Sequence, residues 1–97
     1  MNYIDALAAE IREEVPSGSL PGENTEDLFR IYAVLLLAKR ASVTRGDVHD
    51  AWVAWMAMRG EQHESMAPFD ELPAATRAED SAFVQAIRRV AARHQHP

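Results

Sequence analysis

Apolar residues recur along this chain at three- and four-residue steps, and no window alternates apolar and polar positions as a half-buried strand would, so the pattern predicts an all-α fold. Tyr3, Ile4, Leu7, Ala8, Ile11 and Val15 mark a first amphipathic helix over 3–15, ended by Pro16 and the turn-forming SGSLPGEN. Asn24 with Asp27 three positions on predicts the cap of a second helix running to Lys39 or Arg40. The centre of that helix, IYAVLLLA at 31–38, is apolar on every side, which predicts a central helix packed from several directions. A third helix opens at Thr44, whose hydroxyl accepts from the Asp47 amide while the Asp47 carboxylate reaches back, and it closes near Arg59 with Gly60 in the left-handed conformation. Pro73 suits a short helical turn. Asp80 is placed to cap a last helix whose buried stripe is Phe83, Ile87 and Val90. The expectation is one domain over 1–97, a compact bundle of four main helices plus a short helical turn after Pro73.

Composition narrows what such a bundle does. Cysteine is absent, which removes disulfides, thiolate nucleophiles and thiolate zinc sites. The formal net charge of -5 is placed unevenly. Residues 1–27 hold seven acids against one base, a local balance of -6, and the rest of the chain stands at +1. No basic stripe follows from that distribution, so duplex nucleic acid is not the expected partner. Arg88, Arg89 and Arg93 fall late in the last helix, where they offset its negative end. MNYIDALAAEIREE carries acids where a signal peptide needs a basic flank and an apolar run, and 31–38 is far short of the roughly 20 residues of a membrane span. The expected location is cytoplasmic, with no membrane partner.

The chemistry-bearing stretch is 48–72, VHDAWVAWMAMRGEQHESMAPFDEL. His49, Trp52, Val53 and Met56 share one helix face, and Trp55, three beyond Trp52, widens it. Two aromatics with an imidazole one turn below can stack a flat ligand and hydrogen-bond its edge; tryptophans at this spacing equally serve as core. Four histidines (His49, His63, His94 and His96) show no ligand spacing on one helix, so no metal site is expected. With no nucleophile elbow, phosphate loop or paired-carboxylate pattern, neither catalysis nor a cofactor is expected. Arg45-Gly46-Asp47 reads as helix-start chemistry and not as an adhesion signal. A helix-turn-helix reading of 39–56 fails on Asp47 and Asp50, which would face phosphates.

The order His49-x-x-Trp52, a loop, His63, then Pro68-Phe69-Asp70-Glu71-Leu72, then Asp80 before an apolar helix resembles the ryanodine-receptor domain in its stand-alone bacterial and phage form, over about 46–92. Glu64, Phe69 and Ser81 stand where that family tends to have proline, tyrosine and a basic residue. Residues 1–45 lie outside the resemblance and form an added helical pair. The resemblance implies a module without catalytic activity that binds a small, nucleotide-derived ligand. His49 and Trp52 then form one wall, His63 and Phe69 the loop wall, and Asp80 a further contact.

The functional expectation is therefore a non-enzymatic binding module with a cleft between the third helix and the 60–69 loop. Trp52 or Trp55 stacks the ligand, His49 and His63 hydrogen-bond it, and Arg59 supplies the cation. His49 is expected at the cleft mouth, partly exposed. The alternative is a protein-interaction or assembly module, a homodimer or small regulatory subunit, suggested by the acidic N-terminal third and the all-apolar second helix.

Overall fold

The computed structural model describes residues 2–94. Its elements are α1 (Tyr3–Glu14), α2 (Glu26–Lys39), α3 (Arg45–Met58), the short α4 (Ala74–Ala78) and α5 (Ser81–Arg93), with single 3-10 turns at Ser17–Ser19, Arg40–Ser42 and Phe69–Glu71. The architecture is all-helical: four main helices and one short helical turn, as the periodicity predicts. Among the described residues no helix is long and apolar enough to cross a membrane.

Local chemistry explains most of the boundaries. Asn2 caps α1 by accepting from the Asp5 amide at 3.0 Å. At α3 both halves of the capping box form: the Asp47 amide donates to the Thr44 hydroxyl at 3.1 Å, and the Thr44 amide donates to the Asp47 carboxylate at 2.9 Å. That helix ends in a Schellman motif, with the Glu61 amide on the Met56 carbonyl, the Gly60 amide on the Ala57 carbonyl, and Gly60 at φ 71°.

The start of α2 differs from expectation. Asn24 is left-handed (φ 58°) and lies before the cap, which is Thr25. The buried Thr25 hydroxyl makes no helix-capping bond and instead accepts from Arg12 of α1 at 2.9 Å. Glu26 and Asp27 in the first turn answer the positive end of the helix instead.

Helix α2 touches α1, α3 and α5 and is the hub of the core. Leu28, Phe29, Tyr32, Ala33 and Leu36 are buried, and they meet Leu7 and Ile11 of α1, Val48 and Trp55 of α3, and Phe83, Ile87 and Val90 of α5 in one apolar cluster. The all-round burial predicted for 31–38 is incomplete, since Val34 stays 54% exposed between three packed neighbours.

The acids of α1 are not a bare one-signed surface. Asp5 pairs with Arg30 of α2 at 2.7 Å, and Glu10 and Glu14 both receive Arg93 of α5, with His94 on Glu10 at 2.9 Å. Two of the arginines assigned to the helix dipole thus have other partners. Arg93 ties α5 to α1, and Arg88 donates to the Val43 carbonyl at 2.9 Å. His96 lies outside the described residues.

Candidate functional site

Four separate segments converge on one side of α3 to enclose a pocket of about 450 Å³. His49 and Trp52 form the α3 wall. His63 and Ser65 come from the following loop, Tyr32 and Phe83 form the aromatic floor, and Thr76, Glu79 and Asp80 arrive from α4 and the turn into α5. The turn at 17–21 closes the rim through Gly18, Ser19 and Pro21.

The loop wall owes its position to His49. A carbonyl only accepts, so the 2.7 Å contact between His49 Nε2 and the Ala67 oxygen places the ring proton on Nε2. Within the loop, the Met66 amide donates to the His63 carbonyl at 3.0 Å and the Ser65 amide donates to His63 Nδ1 at 3.0 Å. The second of these leaves Nε2 as the protonated, donating nitrogen of a neutral His63. Trp52 lies between the two imidazoles, stacked with His49 at 5.8 Å (30°) and edge-on to His63 at 5.4 Å (86°). His49 is only 4% exposed, which corrects its placement at the cleft mouth: the 63–69 loop folds over the ring and takes its hydrogen bond.

Asp80 is the N-cap residue of α5 by position, yet its side chain makes no capping bond. The cause is backbone geometry. A capping side chain folds back from an extended residue, whereas Asp80 is already helical at φ -79°, ψ -11°. The carboxylate borders the pocket instead, and burial raises it to about 6, with Glu79 adding to the rise while His49 and Arg45 oppose it. Tyr32, 1% exposed on α2, also borders the pocket, and burial followed by the Asp80 charge pushes its phenol upward. Among the described residues neither the Tyr32 hydroxyl nor the Asp80 carboxylate has a hydrogen-bonding side chain or amide opposite it, and neither is fully sealed from the pocket.

Of the seven residues expected at the site, His49, Trp52, His63 and Asp80 gather around this pocket, and three do not. Trp55 is 3% exposed and belongs to the core, with the Arg59 guanidinium 4.3 Å from its ring centre. Arg59 also pairs with Glu61 at 3.1 Å, and it lines with Trp55 a neighbouring groove that shares Trp52 and His63 with this pocket. Phe69 packs on the far side of His49 at 6.1 Å, flanked by Arg45 and Arg77 at 5.8 and 5.9 Å. Sequence reasoning missed Tyr32, Ser65, Thr76 and Glu79. Tyr32 carried a signal: it is the single hydroxyl in an aliphatic run, and a buried phenol needs a partner. No group of three or more potential metal ligands assembles among the described residues.

Comparison with protein families gives a match over residues 2–92 to a domain of unknown function, DUF7701. The chain belongs to this family. No curated protein and no solved structure matches it. The DUF7701 assignment overturns the resemblance to ryanodine-receptor domains, to which nothing matches, and with it the reading of 1–45 as an addition outside the family unit. The spaced positions behind that resemblance have local causes in the DUF7701 chain. His49 fixes a loop, Pro68 and Phe69 begin a 3-10 turn, and Asp80 precedes a helix, requirements common to many helix-loop-helix segments.

Proposed function

We propose that this DUF7701 protein is a small-molecule-binding module without catalytic activity, its ligand held in the pocket bounded by Trp52, His63, Tyr32 and Asp80. One observation carries the reading. A concave site of about 450 Å³ brings a half-buried indole together with a buried phenol, Tyr32, and a half-buried carboxylate, Asp80, neither of them hydrogen-bonded among the described residues. Apolar walls with a few converging polar groups are the usual composition of ligand sites. Binding is favoured over catalysis because the buried histidine is held by a backbone carbonyl through the nitrogen that faces the loop.

A nucleotide-derived ligand drew its support from the ryanodine-receptor resemblance and has no other. A panel of small metabolites of positive, neutral and negative charge, nucleotides included, tests the module reading by thermal shift and tryptophan fluorescence. The expected result is a saturable binder whose effect is lost in a folded Trp52→Ala variant. Silence across the panel would count against it.

A second reading, assembly through α2, has its own observation: Val34 is exposed beside Ile31, Leu35 and Ala51 in a shallow apolar strip. Light scattering at rising concentration tests it, and a strict monomer removes it.

A further inference from the structure

The pocket's charge and hydrogen-bonding inventory restricts what it holds. Among the described residues its boundary includes two carboxylates, Asp80 and Glu79, and no lysine or arginine. Arg45 and Arg77 lie beside Phe69 and Arg59 beside Trp55, the Arg77 Nε being buried without a partner among the described residues; none of the three lines the pocket. Hydroxyls of Ser19, Ser65 and Thr76 add acceptors, and the fixed donor is His63 Nε2. A phosphate or carboxylate placed here would meet two like charges, with only neutral donors, His63 Nε2 and the hydroxyls, to offset them. An ammonium group would find the reverse.

The aromatic floor points the same way. Trp52, partly exposed, borders the space in which Asp80 lies, above the buried Tyr32 and Phe83, and an aromatic ring beside a carboxylate is the arrangement that binds organic cations, through the ring quadrupole together with the ion pair. Tyr32 is the independent observation. Its hydroxyl, on a residue 1% exposed that borders the pocket, has no hydrogen-bond partner among the described residues, and a ligand N–H would give it one.

We infer that the ligand of this pocket is a compact organic ammonium cation carrying an apolar or aromatic body, its nitrogen set between Asp80 and the Tyr32 hydroxyl and its body against Trp52. This rests on the pocket being a binding site, as proposed above, and adds the chemical class. Glu79, at the outer edge and exposed, attracts the cation without contacting it closely.

The experiment compares three probes of similar shape and different charge: phenethylamine, 2-phenylethanol and 3-phenylpropanoate, titrated into the whole chain at neutral pH and low salt with Trp fluorescence as readout. The amine should bind at least about tenfold more tightly than the alcohol, and the carboxylate more weakly than either. Asp80→Asn, checked for folding by its melting curve, should bring amine and alcohol to within about threefold, whereas Glu79→Gln should weaken the amine by no more than about threefold. If the alcohol or the carboxylate binds as well as the amine, the cation assignment is wrong while the pocket stands. If none binds up to about 10 mM, weak even for ligands of this size, both readings fall. Retained amine preference in folded Asp80→Asn overturns the placement of the nitrogen.

Discussion

At the residue scale, His49 and Asp80 show how one type of side chain is read differently once its backbone is known. The spacing places His49 beside Trp52 correctly, but whether the ring faces solvent depends on a loop 18 residues further on, and that loop folds over it. His49→Gln should therefore cost about 1–3 kcal/mol through a buried hydrogen bond lost or poorly matched, and the melting temperature should fall by several degrees. An unchanged melting temperature would mean that the Ala67 contact holds nothing. Asp80 carries the pH dependence. Its folded-state pKa is raised to about 6 from 3.8, so the folded chain binds this proton more tightly than the unfolded one. The resulting stability is present below pH 3.8 and is lost as pH rises through 6. The charges facing it, Glu79 against and His49 and Arg45 in favour, leave burial as the larger effect, with Tyr32 affected in turn. Asp80→Asn removes the cost of a buried carboxylate. It should stabilise the chain by about 1–2 kcal/mol at pH 7.5, below the ~3 kcal/mol of the full shift because the group is partly open to water, and by a few tenths at pH 4.5. Equal gains at the two pH values would refute the assignment.

At the element scale, the sequence made the helices legible where side chains bond within their own segment. Thr44 with Asp47, and Gly60 after Arg59, needed no information from elsewhere in the chain. Asn24 lies one residue before its cap and Asp80 holds the cap position without the side-chain bond, for a common reason: an N-cap is a backbone conformation as well as a residue type, and neither residue is extended. The candidate site was half legible on the same grounds. Its α3 wall follows from helical spacing, whereas Tyr32, Thr76 and Glu79 join it only through the packing of α2, α4 and α5 around it. The junction of α2 and the 40–42 turn provides an element-scale test. Arg40 closes α2 at φ 54°, ψ -134°, a region that costs a non-glycine residue about 1–3 kcal/mol, while its amide still donates to the Leu36 carbonyl. Arg40→Gly relieves that strain and gives back about 0.5–1 kcal/mol in unfolded-state entropy. A net gain of ~0.5–1 kcal/mol in a denaturant titration is expected, with an unchanged m-value. A loss would place the left-handed geometry elsewhere in the turn.

At the scale of the whole molecule, α1 is attached by a different kind of force from the other helices. Leu7, Ala8 and Ile11 give it an apolar seam against α2 and α5, but its outer edge is held by ions: Asp5 to Arg30, and Glu10 and Glu14 to Arg93 and His94. The acidic N-terminal third that reads in the sequence as a surface for a basic partner is in large part an internal fastening, because the balancing bases lie far along the chain where charge counting by segment does not see them. The Arg30 hydrogen bond holds Asp5 below the usual carboxylate range, so its contribution is present above the unfolded pKa of 3.8 and is lost as pH falls through the lower folded value. Exposed pairs of this kind are individually weak and screened by salt. Arg30 bridges Asp5 and Asp27, and the Arg93 guanidinium serves two carboxylates from successive turns of α1 and so couples the first helix to the last. Arg93→Ala should lower global stability only slightly, yet hydrogen exchange should quicken more in α1 than in α2 or α3, and the difference between variant and parent should shrink at high salt. Uniform quickening across all helices would show that α1 does not open separately and that the pocket rim at 17–21, which follows it in the chain, is held by the core alone.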